Sequence, residues 1–380
     1  MKIIIAPDSF KGSLSAGRAA KAMERGVRFA AAKKNLPVEI LKIPMADGGE
    51  GTVEAIVTGV GGKIHPVTVV DPLGRRIEAF FGILPDNTGV IEMAAASGLN
   101  LIESRLRNPL ITTTYGTGQL IMAALEAGCR KLIIGIGGSA TNDGGVGMAQ
   151  ALGVKFLDKR NKPVGFGGGE LIKIRKIDLA GLDPRVRDTT IIVASDVKNA
   201  LCGPNGAAAV YGPQKGATPK MITVLDRNLK HLADLIQSEL GKEIAEVPGS
   251  GAAGGLGGGL MAFLDAKIQS GIKIVMDLTR FAEKVQEADC VVTGEGATDF
   301  QTIFGKVPFG VAQIAKNYKK PVFCISGTLG KNYEELHEYG ITAFFSIVDK
   351  PMTLDEAMSR GEELLEKITA NVFHIYFLGG

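Results

Sequence analysis

The residues best suited to chemistry in this chain are carboxylates, lysines and small hydroxyls set among glycines. The densest group is GIGGSATNDGGVG, where five glycines, Ser139, Thr141, Asn142 and Asp143 fall within residues 137–147. Glycines let a backbone approach an anion and turn its N–H groups toward it. The helix that begins behind them adds its dipole. Gly137, Gly138, Ser139, Thr141, Asn142 and Gly144 are therefore candidates to hold phosphate oxygens. Asp143 could hold Mg²⁺ or cap the helix. The pattern is neither a GK[ST] phosphate loop nor GxGxxG, and its alternative reading is a tight strand–helix turn.

Four more clusters follow apolar runs. APDSFKGSLSA (6–16) offers Asp8, Ser9 and Lys11, the lysine suited to a phosphate or carboxylate. MADGGEGT (45–52) sets Asp47 and Glu50 beside Gly48 and Gly49, a pattern for a metal or a substrate hydroxyl. SDVKN continues to GPQKGAT, with Asp196 directly after an apolar run and Lys215 further on. A carboxylate in that place suits a general base or an Mg²⁺ ligand. TGEGATDFQT (293–302) brings Glu295, Asp299 and Gln301. For each, a capped turn is the competing reading. A sixth stretch, 249–259, holds seven glycines, which fit a nucleotide pocket and close helix packing equally.

What is missing narrows the chemistry. The four histidines, His65, His231, His337 and His374, lie outside these clusters. That disfavours imidazole acid–base work and leaves zinc without a ligand set. No GxSxG is present, which disfavours serine hydrolysis. Carboxylates, lysines, hydroxyls and backbone N–H groups match phosphoryl transfer, in which a protein mostly positions groups and neutralises charge.

Composition agrees. Glycine reaches 51 of 380 residues, against about 7% in average usage. At 45% apolar and 22% charged the chain is neither disordered nor collagenous. A net charge of +3 with no long basic tract, and no Trp, argue against a nucleic-acid partner. Cys129, Cys202, Cys290 and Cys324 have no metal-type spacing and read as free thiols of a cytoplasmic protein. The uncharged stretches 108–125 and 247–264 are broken by Gly, Thr or Gln, so no membrane span or anchor is expected.

These loops need strands and helices to hold them. Apolar runs at 2–6, 38–43, 289–293, 320–325 and 343–348 alternate with helical patterns at about 15–32, 51–59, 306–317, 332–338 and 354–370. Such alternation predicts a parallel sheet covered on both faces, a Rossmann- or flavodoxin-like α/β domain formed by both chain ends. The middle differs. Runs at 64–70, 76–83 and 89–93 joined by turn signals predict antiparallel pairs, followed by strands at 130–136 and 190–195. The expectation is a discontinuous domain, 1–64 with 286–380, and an inserted α/β domain with a mixed sheet, 65–285.

The motifs APDSFKGSLSA, MADGGEGT, TYGTG, GIGGSATNDGG, SDVKN…GAAAVYGPQKGAT, PGSGAAGGLG and TGEG together, in this order over the whole chain, resemble the bacterial glycerate kinase family (the type-1 glycerate kinases). The resemblance implies two α/β domains, one inserted in the other, with the active site in their cleft. It implies ATP-dependent phosphorylation of D-glycerate to 2-phosphoglycerate, or to the 3-phospho product, with ATP and Mg²⁺ as cofactors. On that basis Lys11 and its loop would hold the substrate carboxylate, and Asp8 would be a further catalytic residue. Ser9, Asp47, Gly48, Gly49, Glu295 and Gln301 would line the substrate. Asp196 would deprotonate the attacking hydroxyl. The 137–145 loop and Lys215 would take ATP, and Mg²⁺ would be bridged by some of Asp47, Asp143, Glu295 and Asp299. Lys198, Ala200, Ala297 and Phe300 depart from the family pattern. A kinase for another small hydroxy or sugar acid and a non-enzymatic sensor are the alternatives. The partners expected are small molecules, and a homodimer is left open.

Overall fold

The computed structural model describes residues 1–378. The described residues form two compact units, one of Met1–Asp47, Glu54–Gly61 and 272–378, the other of Gly48–Val53 and Gly62–Gly271. From sequence, the divisions are expected at 64/65 and 285/286.

The first unit carries five parallel strands in the order Ala343–Ser346, Val322–Ser326, Cys290–Thr293, Lys2–Ile5, Glu39–Lys42. Ile3, Ile4 and Ile5 are fully buried, as a central parallel strand covered on both faces requires. Counted along the chain, the order is the flavodoxin-like 2-1-3-4-5. Chain direction across the sheet therefore reverses between Lys2–Ile5 and Cys290–Thr293. In such sheets, ligands bind outside the carboxyl ends of the strands at that reversal. Ile3, Ile5, Val27, Val292, Ile325 and Phe373 share one core.

Two helical expectations in this unit change. The pattern at 354–370 is two helices, Leu354–Ser359 and Gly361–Tyr376. The Ser13 hydroxyl donates to the Met358 carbonyl at 2.6 Å, taking the acceptor that a continuous helix would use. Residues Tyr333–Tyr339 wind as a 3₁₀-helix between left-handed Asn332 and Gly340.

The second unit holds the expected mixed sheet, in the order Lys267–Gln269, Thr190–Ala194, Lys131–Gly135, Gly89–Glu92, Arg76–Ile83, Lys63–Val70. The first four strands run parallel and the last two antiparallel. Pro66 lies in the outermost strand, where a missing N–H costs no ladder bond. The short strand Lys267–Gln269 carried no sequence signal.

The glycine stretch 249–259 proves to be a packing platform. A Cβ on Gly254 would overlap the Thr141 carbonyl, and one on Gly259 would overlap that of Gly144. Gly144 N–H donates to the Gly254 carbonyl at 3.1 Å. Gly254 also has φ +70°. Gly254→Ala should therefore cost about 1–3 kcal/mol, as a strained non-glycine backbone does, read as a lower urea midpoint. An unchanged midpoint would contradict this packing.

Among the described residues, no helix is long and apolar enough to cross a membrane. Cys129, Cys290 and Cys324 are buried, Cys202 is partly so, and all four are free thiols.

Candidate functional site

In the first unit, the chain leaves strand Lys2–Ile5 and runs beside the chain leaving Cys290–Thr293. Ala6 N–H reaches the Val292 carbonyl at 2.7 Å and Asp8 N–H reaches that of Gly294 at 2.8 Å. Asp8 and Glu295 thus sit on adjacent loops at the reversal of the sheet. Asp8 is buried, with one oxygen on Ser9 N–H at 2.6 Å. Burial pushes its carboxyl up to about 7, the charges of Asp47 and Glu295 add to this, and Lys11 and the Ser9 N–H oppose it. The charges of Asp47, Glu295 and Lys11 thus all act on the Asp8 carboxyl.

Glu295 is buried too. One oxygen accepts the hydroxyls of Thr302 at 2.8 Å and Thr298 at 3.1 Å, and the other faces Lys306 at 3.4 Å. Burial raises its pKa, while Lys306 and the two hydroxyls pull it down. Asp299 caps the turn Phe300–Phe304 through Gln301 N–H at 2.9 Å and lies 3.8 Å from Lys306. Gln301 enters this arrangement through its backbone, and the residue is exposed. Lys306 escaped the sequence reading. Its signal was a lysine at the N-cap of helix Val307–Asn317, seven residues beyond Asp299.

In the second unit, Gly48 and Gly49 lie at the carboxyl ends of strands Lys131–Gly135 and Thr190–Ala194. A Cβ on Gly48 would overlap the Ala194 carbonyl, and one on Gly137 would come within 2.6 Å of the Gly49 Cα. Gly137 N–H donates to the Gly48 carbonyl at 3.0 Å. Asp196 follows Ala194 and is half-buried at this same end of the sheet.

The 137–145 loop is organised from within. Lys215 is 1% exposed; its Nζ donates to the Thr141 carbonyl at 2.6 Å and lies 3.2 Å from the Ser139 Oγ. Burial pushes this lysine down to about 7, against the pull of Asp143. Ser139 and Thr141 hydroxyls lie 3.1 Å apart. Asp143 is fully enclosed. Its oxygens accept Thr114 N–H at 2.8 Å, the Thr114 hydroxyl at 2.9 Å, Gly145 N–H at 3.2 Å and Gly147 N–H at 3.3 Å. It thereby ties the starts of helices Tyr115–Glu126 and Val146–Ala151 together. Burial raises its pKa, and those donors oppose the rise. Asn142 is buried, and among the described residues neither of its amide atoms has a hydrogen-bond partner. Gly138 has its carbonyl on Leu99 N–H at 2.8 Å.

Among the described residues, no three His, Cys, Asp or Glu side chains are grouped to hold a metal ion. Mg²⁺ does not require such a cage, because it keeps waters and binds through one or two carboxylates plus substrate phosphates. The carboxylates near the sheet reversal of the first unit fit that mode.

A doubly wound sheet with buried carboxylates at its reversal, and a glycine-rich loop braced by a lysine, together describe an α/β phosphotransferase. Known proteins agree. The family model described as the glycerate kinase family matches residues 3–377. A glycerate kinase of Halalkalibacterium halodurans is 53% identical over 371 residues, covering 97% of each chain. A glycerate 2-kinase of Escherichia coli is 49% identical over 374 residues, covering 98% of this chain and 97% of its own. A crystal structure described as a glycerate kinase 2 of Salmonella typhimurium superposes with a TM-score of 0.87 at 47% identity, over 100% of this chain and 99% of that one. This chain belongs to the glycerate kinase family, a family of phosphotransferases with an alcohol group as acceptor.

Proposed function

We propose that the protein transfers the γ-phosphoryl group of ATP to the 2-hydroxyl of D-glycerate, giving 2-phosphoglycerate and ADP. The near-full-length identity to glycerate kinases carries this reading. The hydroxyl oxygen bonds to the γ-phosphorus as the bond to the bridging oxygen of ADP breaks. Asp196 accepts the hydroxyl proton. Lys11 pairs with the substrate carboxylate, while Asp8, Ser9, Asp47, Glu295 and the Gly48–Gly49 backbone orient its hydroxyls. Ser139, Thr141 and the glycines of the 137–144 loop take the phosphates, with Lys215 fixing the loop from inside. Mg²⁺ would be held by Asp47 and Asp299 and would supply neutralising charge to the phosphates. The oxygens of Asp143 are engaged by protein donors, so its part is to shape the loop.

Purified protein with Mg-ATP and D-glycerate, coupled to enolase, tests this directly. ADP release with enolase-competent product is the expected result. ADP release without an enolase signal would move the product to the 3-phospho isomer. No release with glycerate, but release with another hydroxy acid, would overturn the substrate.

A further inference from the structure

Glu92 ends the strand Gly89–Glu92, whose four residues are all buried. It is 3% exposed, and it follows the apolar residues Val90 and Ile91. Enclosing a carboxyl at such a place costs folding energy unless its oxygens are well used. Here one oxygen accepts Gly51 N–H at 2.9 Å and faces Val53 N–H at 3.5 Å. These N–H groups belong to the entry of helix Thr52–Val60, where no carbonyl of the helix can satisfy them. A negative group is also favoured there by the helix dipole.

Two other bonds fix the same segment. The Gly48 carbonyl accepts Gly137 N–H at 3.0 Å. The Glu50 carboxylate accepts the Asn100 amide at 2.6 Å. Residues 48–53 are thus held at their start, middle and end by the second unit, and of the two carboxylates Glu92 is the enclosed one, while the Glu50–Asn100 bond is exposed. Asp47 immediately precedes this segment in the chain.

We propose that Glu92 is a positioning residue of the kinase reaction, which holds the Gly48–Val53 backbone in its working conformation. This rests on the function proposed above, in which Asp47, Gly48 and Gly49 meet the substrate.

The carboxyl is also placed to make that hold depend on pH. Burial pushes it up to about 7, the charge of Glu50 adds to this, and the N–H groups of Val53, Gly51 and Thr52 oppose it. Gly135 lies opposite it on the neighbouring strand and brings no charge. When ionised, Glu92 is the stronger acceptor for the two N–H groups. When protonated, it is the weaker one, and the segment loosens. Activity carried by this contact should therefore rise as pH increases through about 7.

The test uses the full chain and two substitutions, Glu92→Gln and Glu92→Asp. A misplaced segment should lower kcat/KM for D-glycerate by about tenfold to a hundredfold in Glu92→Gln. The acid limb of its pH profile should also become shallower, since Glu92 no longer titrates there. Glu92→Asp keeps the charge and should restore part of the rate and the steeper limb. Amide hydrogen exchange at Gly51 and Val53 should accelerate in Glu92→Gln while the melting temperature changes little. Wild-type kcat/KM, limb and exchange in Glu92→Gln would overturn the proposal. Should Glu92→Gln fail to fold, a Glu92→Asp profile superposing on wild type would overturn it instead. Wild-type protein that turns over no hydroxy acid would sink the kinase reading, and the exchange rates would still decide whether Glu92 holds the segment.

Discussion

Asp196→Asn should lower kcat by about 10²–10⁴-fold, the usual range for removing a general base, with the protein still folded. Asp196 is half-buried just beyond the strand Thr190–Ala194, whose last two residues are buried. Asparagine keeps the size and hydrogen-bonding reach of the side chain but cannot take a proton at neutral pH. The loss should therefore fall on kcat and leave KM for ATP close to its starting value. A circular dichroism melt and single-turnover kinetics would be measured together. Near-normal turnover would remove Asp196 from the role of base and leave Asp8, whose carboxyl titrates at about 7, as the next group to test.

The largest expected effect on stability belongs to Asp143→Ala, at about 3–5 kcal/mol, typical when one member of a buried charged network is removed. The substitution strips the acceptor from the N–H groups of Thr114, Gly145 and Gly147. Each such group then stays buried and unsatisfied. It also leaves Lys215 without the negative charge that supports its ammonium form. The lysine supplies an independent signature. Its pKa is pushed from 10.5 in the exposed state down to about 7 in the folded one. The folded state therefore binds fewer protons than the unfolded state between those values, and stability rises with pH across that window. That contribution is fully present above 10.5 and is lost as pH falls through about 7. Urea titrations of wild type and Lys215→Met at pH 7 and pH 10 would show the rise in the first and its loss in the second. Parallel slopes would show that Lys215 is not enclosed as described.

Much of this protein could be read before any coordinates. Short apolar runs separated by helical patterns marked every strand of the two large sheets except Lys267–Gln269, because strand and helix periodicity is local and a buried parallel strand must be apolar on both faces. Glycine clusters after those runs marked the loops, because such loops need backbone without a Cβ. The motifs in their order marked the family.

Partnership and burial were left to tertiary structure. Asp143 reads equally well as a metal ligand or a cap until Thr114, some thirty residues away in the chain, is seen to donate to it. Lys215 reads as a phosphate ligand until its ammonium is found enclosed on Thr141. The 249–259 glycines read equally as a nucleotide pocket or as close packing until Gly254, Gly255 and Gly259 are seen against the backbone of 141–145. Glu92 and Lys306 lie outside every glycine cluster, and only the fold brings them to Gly51 and Glu295. In each case the deciding quantity is which donor or acceptor, distant in sequence, stands within hydrogen-bonding or ion-pair reach. Local pattern contains no record of that distance, so composition could place the chemistry in loops but could not say which side chains face a ligand and which hold the loop together.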